Sequence, residues 1–370
     1  MSEDLQTIRE RIADVDDRMA ELFVLRMRLA QDVASYKKTY GLPVFDAEQE
    51  ARVLERGSER VRDEQIGGYY RSFLQNVMDL SKQYQHRLMD GVKVAYSGVP
   101  GAFAHIAAGR IFPDAVLTPY GSFRDAYDAT AAGACDYAVI PIENSYAGEV
   151  GPAMDLMFDG ELYVTGVYTL PITQNLLAVP GARIQDVQRV VSHPQAISQC
   201  ETYIKRHGWA VLTAENTAAA AKQVADAADP STAAIASAET AALYGLDVLD
   251  HDINESTVNT TKFAVFTRVR EDKRAGGEDS FILMFTANDV AGSLAKAINV
   301  ISDYGFNMKT LRSRPVKEKA WEYYFYVVVE GDVSAPRGQR MLEALSGQCQ
   351  KLKVVGHYTA EKDLKEGKTV

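Results

Sequence analysis

Three groups of residues in this 370-residue chain have the types and spacing to do chemistry. The first is cationic. Arg9, Arg26 and Lys37 share a stretch, residues 4 to 40, that contains neither Gly nor Pro. Arg26 interrupts an apolar series spaced 3,4,3,4: Leu5, Ile8, Ile12, Val15, Met19 and Leu22 before it, Leu29, Val33, Tyr36 and Tyr40 after it. On an α-helix this rhythm puts every member on the stripe that packs against neighbours, so Arg26 points at an interior. A desolvated guanidinium without a partner is costly, so Arg26 either neutralises a carboxylate of its own chain or holds an anionic ligand. Lys37 lies at the same helical phase about 16 Å away, and the two long side chains can bracket one small anion. Arg9 is roughly 25 Å from Arg26 along the same rod and reaches such a site only from a second copy of the helix. Taken singly, Arg9 and Lys37 also read as surface charges. Asp46 with Glu50, and Ser81 with Gln85, are pairs one turn apart that can add acidic and neutral groups.

The second group consists of polar strings that close apolar runs. Glu143, Asn144 and Ser145 follow Tyr137–Ile142, and Ser192, His193 and Gln195 follow Val190-Val191. In an α/β fold such residues sit at the carboxyl edge of a sheet, where ligands bind. His193 reads equally as a hydrogen-bonded structural histidine. Asn259-Thr260-Thr261-Lys262-Phe263 leads into a further apolar run, Ala264 to Thr267. Ser97 to Phe103 carries Gly98 and Gly101 between a strand and a helix, which suits either a tight turn or an anion on backbone N–H groups. The third group lies near the C-terminus: Asp289, Gly292, Ser293 and Leu294 at a helix start, and Arg312-Ser313-Arg314-Pro315 behind a strand.

Three textures along the chain must position these groups. Residues 1–90 read as three helices: one to Gly41-Leu42-Pro43, one capped by Asp46 with Gln49 as in a capping box and running to about Arg62, and one fading at Met89-Asp90-Gly91, with Gly67-Gly68 as the break between the last two. The first is a rod about 50 Å long that cannot bury its seam within so small a monomer, which predicts an interlocked helical dimer. From residue 91 to 271, short apolar runs alternate with alanine-rich helical stretches such as Thr217 to Ala228, an α/β pattern. A charged linker from Arg270 to Asp279 follows, and residues 279–360 read strand, helix, strand, strand, helix, strand, the split ferredoxin-like plan. The net charge of −10, without a long basic run, excludes nucleic acid or an acidic membrane as the main partner. No apolar stretch is long enough to span a membrane, and Met1-Ser2-Glu3-Asp4 lacks a signal peptide's texture, so a cytoplasmic location is expected. Cys135, Cys200 and Cys349 are odd in number, far apart and outside any ligand cluster; they are expected as free thiols, with no metal site.

The cation and polar pattern of residues 1–90 resembles the all-helical chorismate mutases. That resemblance implies rearrangement of chorismate to prephenate, a unimolecular reaction needing no cofactor. Holding the dicarboxylate in its compact conformer and meeting charge on the breaking ether oxygen are then the whole of catalysis. It implies that Arg26, and Arg9 from a partner, clamp carboxylates, that Lys37 and Gln85 reach the ether oxygen, and that Glu50 takes the hydroxyl, with Asp46 and Ser81 at the pocket wall. Gln49 stands where some relatives carry an arginine. Pro141-Ile-Glu-Asn-Ser, Ser192-His-Pro-Gln with Gln199-Cys200, and Thr261-Lys-Phe resemble, in order, the signatures of prephenate dehydratase. This implies an α/β domain of two periplasmic-binding-protein-like lobes closing on prephenate, with loss of water and CO₂ to give phenylpyruvate. Thr261 is then the proton donor to the departing hydroxyl; Glu143, Asn144, Ser192 and Gln195 orient it and the substrate, with Gly98, Gly101, Ser145, His193 and Phe263 as further contacts. Lys262 replaces the family's usual arginine and is expected to neutralise a substrate carboxylate with looser orientation. The last segment resembles an ACT domain, with Ser293 and Arg312 as departures from its usual Gly-Ala-Leu and Glu-Ser-Arg-Pro. That implies L-phenylalanine as an allosteric inhibitor, bound between two ACT domains near Asp289, Gly292, Ser293, Leu294, Arg312, Ser313, Arg314 and Pro315. The chain as a whole thus resembles a bifunctional enzyme of phenylalanine biosynthesis, in a homodimer or homotetramer. An arogenate dehydratase and a non-catalytic metabolite sensor are the alternatives.

Overall fold

The computed structural model describes residues 4–61, 63, 65–256, 258–270, 279–288, 290–317, 322–359 and 361–364. The chain divides into two compact units, Met1–Lys93 and Val94–Val370.

The first unit is the expected trio: α1 (Leu5–Tyr40), α2 (Ala47–Arg60) and α3 (Gly67–Asp90). Gly41 ends α1 in the left-handed region, φ 64°, with its N–H on the Lys37 carbonyl. The Asp46 carboxylate caps α2 by accepting the Gln49 N–H at 3.0 Å. The second break precedes Gly67 rather than falling on it, so that Gly67 and Gly68 make the first turn of α3; Arg62, the expected end of α2, lies outside the described residues. Ala30 and Ala34 are the buried residues of α1. The apolar seam is exposed within the single chain, Leu22 at 65% and Tyr40 at 64%.

The second unit begins with a lobe built from β1 (Lys93–Ser97), α4 (Phe103–Ile111), β2 (Val116–Tyr120), α5 (Phe123–Ala131), β3 (Tyr137–Asn144), β4 (Gly148–Glu149), α6 (Gly151–Asp159) and β5 (Tyr163–Pro171). The chain then crosses to a second lobe: β6 (Asn175–Ala178), β7 (Arg189–Ser192), α7 (Pro194–Gln199), α8 (Glu201–His207), β8 (Ala210–Thr213), α9 (Thr217–Ala227), β9 (Thr232–Ala236), α10 (Ala238–Tyr244) and β10 (Asp247–Asp250). It returns as β11 (Thr260–Thr267), inserted antiparallel between β3 and β5. Two sheets, β5-β11-β3-β1-β2 and β10-β6-β9-β7-β8, joined by two crossings, make the expected two-lobed plan. The expected βαββαβ module follows: β12 (Asp279–Ala287), α11 (Ser293–Asp303), β13 (Asn307–Pro315), β14 (Tyr323–Glu330), α12 (Pro336–Ser346) and β15 (Cys349–Thr359), closed by a short β16 (Lys362–Asp363). Most of the expected charged linker, residues 271–278, lies outside the described residues.

The module's sheet, in the order β13-β14-β12-β15, continues into the first lobe through a parallel contact of β15 with β5, where Gly356 faces Val164. A Cβ on Gly356 would lie 2.1 Å from the Val164 carbonyl oxygen, so only glycine allows that approach. One core unites lobe and module, with Ile140 and Phe266 in the same cluster as Ile282, Met284, Tyr324 and Tyr326. One boundary differs in a way that matters: β13 runs on to Pro315, because its ladder with β14 persists through Arg314 opposite Tyr324 and Pro315 opposite Tyr323. Arg314, beyond the Asn307 to Arg312 strand expected from sequence, is therefore a strand residue too and lies on the same face as Arg312.

Candidate functional site

In the helical unit, all three helices and the α1–α2 loop line a cavity of about 180 Å³ that brings together Arg26, Lys37, Asp46, Glu50, Ser81 and Gln85. Arg26 is half-buried and donates to the Val77 carbonyl at 3.2 Å and to the Ser81 hydroxyl. Burial lowers its pKa from the ordinary arginine value. Lys37 donates to the Val44 carbonyl at 2.7 Å. Glu50 is engaged by Lys82, which also bridges to Asp79 at 2.9 Å. Burial lowers the Lys82 pKa, but hydrogen bonds to Glu50 and Asp79 outweigh it and raise it on balance. Gln85 is buried with its side-chain oxygen unpartnered, a polar atom positioned for a ligand group. Lys82 was not singled out from sequence; it is a third cation of the wall and lies one residue from Ser81. Arg9 is exposed and outside this cavity.

In the two-lobed unit, three sequence-distant strings meet around one side chain. The Asn144 amide donates to the Thr261 hydroxyl oxygen at 2.9 Å, to the Asn259 side-chain oxygen at 3.0 Å and to the Thr260 carbonyl at 3.1 Å. The Asn144 oxygen accepts from the backbone of Tyr146 and Ala147 at 3.0 and 2.8 Å, and from Gln195 of the other lobe at 3.5 Å. Because Thr261 accepts from Asn144, its own proton is left to be donated elsewhere. Asn259, passed over as a site residue, is 4% exposed with its amide nitrogen unpartnered, so it belongs to this cluster. His193 caps α7, its Nδ1 accepting the Gln195 N–H at 3.2 Å, and burial lowers its pKa. The structural reading of that histidine therefore has a concrete basis.

Several expected contacts are placed elsewhere. Ser192 is fully buried, and its hydroxyl donates to the Ile235 carbonyl at 2.6 Å, bracing β7 against β9. Phe263 is 1% exposed and belongs to the core. Ser145 ties its turn to β11, donating to the Val258 carbonyl and accepting the Thr260 N–H. The Gly98 N–H goes to the Tyr120 carbonyl and the Gly101 N–H to His105 Nδ1, so the two amides are engaged within the protein; φ values of 99° and 89° account for both glycines. Glu143 and Lys262 are the larger correction. Paired opposite each other on β3 and β11, they alternate with Asn144 and Thr261 and so face the other side of the sheet. There Lys262 bridges to Glu143 at 3.5 Å and to Glu361 at 3.0 Å, and Arg312 bridges to Glu143 at 3.2 Å. A cavity of about 740 Å³ between the lobes shares only Gly101 with the residues expected from sequence.

In the C-terminal module, Gly292, Ser293 and Leu294 line a cavity of about 700 Å³ with Tyr323 and Phe325. Arg312, Ser313, Arg314 and Pro315 do not line it. Arg314 instead meets Glu149 at 3.1 Å, Tyr324 at 3.0 Å and Asp155 at 3.5 Å, and Ser313 and Pro315 are exposed. Asp289 lies outside the described residues.

Comparison with known proteins accounts for each part. Residues 8–86 match the family of type II chorismate mutases, residues 94–271 that of prephenate dehydratase, and residues 281–347 that of the ACT domain. A bifunctional chorismate mutase/prephenate dehydratase of Aquifex aeolicus (strain VF5) is 31% identical, over 96% of this chain and 98% of its own. An arogenate dehydratase of Petunia hybrida is 33% identical, but over 76% of this chain and 70% of its own. Among solved structures, a prephenate dehydratase from Arthrobacter aurescens in complex with L-Phe superposes with a TM-score of 0.68 at 27% identity, covering 73% of this chain and 90% of that one. Full-length agreement with the bifunctional relative, including the helical unit, decides between these comparisons. The chain belongs to the bifunctional chorismate mutase/prephenate dehydratase family, with both enzymatic domains present and an ACT domain behind them.

Proposed function

We propose that residues 1–90 rearrange chorismate, residues 91–271 convert prephenate to phenylpyruvate, and residues 279–360 sense L-phenylalanine. The observation that carries this assignment furthest is the Asn144 amide on the Thr261 hydroxyl, with Gln195 of the opposite lobe on the same Asn144. Prephenate loses its C4 hydroxyl as water and its ring carboxylate as CO₂ while the ring becomes aromatic. A threonine is a poor acid, so Thr261 acts as a fixed donor that meets negative charge on the departing oxygen. In the helical site, Arg26 and Lys37 hold carboxylate and ether oxygen, Gln85 supplies its amide, and Glu50, oriented by Lys82, receives the substrate hydroxyl. Given chorismate, the purified chain is expected to form prephenate and then phenylpyruvate. Arogenate offered in place of prephenate is expected to turn over at least tenfold more slowly in kcat/KM. Binding without turnover overturns the enzymatic reading, and equal rates overturn the substrate preference. The free thiols of Cys135, Cys200 and Cys349 agree with a reducing cytoplasm. Among the described residues, no helix is long and apolar enough to cross a membrane.

The exposed seam of α1 supports a dimer that completes the helical site. Ten large apolar side chains lie along it, each worth roughly 1.5–3 kcal/mol on full burial, more than a solvated helix face needs. A second copy supplies both that burial and the partner subunit's Arg9, which the rod's length keeps from its own Arg26. Subunit complementation tests it: Arg9→Ala and Arg26→Ala homodimers are each expected to be nearly inactive as mutases, and mixed, re-equilibrated subunits to recover part of the wild-type rate. Unchanged inactivity of the mixture, with sedimentation showing hybrids, removes the shared site.

A further inference from the structure

Glu143 and Glu149 face each other across the β3–β4 pairing, and Asn144 pairs with Gly148 one step nearer the turn. Both carboxylates are engaged from β13: Arg312 donates to Glu143 at 3.2 Å and Arg314 to Glu149 at 3.1 Å. Asn144, the next residue, is directed to the opposite face, where it meets Thr261. We propose that Arg312 and Arg314 clamp the 143–149 hairpin from the ACT side and thereby position Asn144 against Thr261. The clamp rests on reading Asn144 and Thr261 as the dehydratase centre.

The Arg314 arm is the firmer of the two. Its guanidinium also donates to the Tyr324 hydroxyl at 3.0 Å, and that hydroxyl donates to Asp155 at 2.8 Å, a carboxylate 7% exposed. Lys317 reaches Asp155 at 2.8 Å. A Cβ on Gly151 would lie 2.6 Å from Arg314, so the guanidinium seats against bare backbone at the start of α6. Arg312 with Glu143 is half exposed and adds little stability alone. Its effect is geometric, through the peptide that joins Glu143 to Asn144. Lys262, expected from sequence on a substrate carboxylate, and Glu361 complete the same cluster. Glu143 is accordingly a positioning residue.

The test uses the full chain carrying Arg312→Gln, Glu149→Gln, or both. Neither substitution strips Asp155 of Arg314, Lys317 or Tyr324, and the mutase rate of the same molecule controls for folding. Each single variant is expected to lower the dehydratase kcat about threefold and the double about tenfold, with KM within twofold and the mutase unchanged. Glu143→Gln added to Arg312→Gln is expected to lower kcat by less than twofold further, since only the longer Lys262 contact at 3.5 Å remains to be lost. Wild-type kcat in the double variant overturns the clamp, as does a rise in KM at constant kcat, which makes these residues substrate contacts. Full activity of Thr261→Val, by contrast, overturns the centre itself and the clamp with it.

Discussion

Arg26→Met leaves a folded protein whose mutase kcat/KM falls about 10²–10³-fold while its dehydratase is untouched, the loss typical of removing one preorganised donor from developing charge. Two readings of Arg26 compete: neutralised by its own chain, or kept for a dianionic substrate. The carboxylates within the cavity speak for the second. Glu50 is engaged by Lys82, Asp46 caps α2, and Arg26 bonds to a carbonyl and a hydroxyl, so its charge has no anion opposite it among the described residues. Methionine fills a similar volume without the desolvation cost. Ser81 keeps its bond to the Val77 carbonyl at 2.8 Å, so no buried group is orphaned. Stability is therefore expected to hold or rise slightly, read by denaturant melts, while prephenate formation is followed at saturating and limiting chorismate. A variant that rearranges chorismate at the wild-type rate makes Arg26 a structural cation and removes the clamp.

What was legible in the chain followed from periodicity. The uninterrupted 3,4 spacing to Tyr40 and the stop at Gly41 specify α1 to the residue, and the alternation of strand and helix textures specifies the two-lobed unit and the βαββαβ module. The second periodicity went unused. Adjacent residues of a strand face opposite sides, so Glu143-Asn144 and Thr261-Lys262 cannot each send both side chains into one cleft, whatever their order in a motif. Applying that rule separates Asn144 and Thr261 from Glu143 and Lys262 without coordinates. What pairs with the second set was not legible: Arg312 and Glu361 are 169 and 218 residues from Glu143, and nothing local relates them. Likewise Lys82 reads as one surface lysine among many until α3 turns it toward Glu50, and Asn259 as a loop polar residue until burial leaves its amide unpartnered.

Thr261→Val carries the largest expected effect on the second reaction: a fall of about 10²–10⁴-fold in dehydratase kcat, the usual worth of a positioned proton donor, with the mutase unchanged. Valine has the shape of threonine and suits a strand, so the change removes one hydroxyl and little else. The Asn144 amide loses one of three acceptors but keeps the Asn259 oxygen and the Thr260 carbonyl, which limits the expected loss of stability to about 1 kcal/mol. Thr261→Ser retains the hydroxyl on a freer rotor and is expected to keep activity within about tenfold of wild type. The order wild type, serine, valine is the diagnostic feature, because a packing role ranks valine above serine and a donor role does the reverse. KM for prephenate is expected to stay within a few-fold in both variants if the hydroxyl acts mainly on the oxygen whose charge develops as the bond breaks. Valine turning over prephenate as fast as serine would assign the proton to another group in the cleft, with the unpartnered Asn259 amide the next to replace.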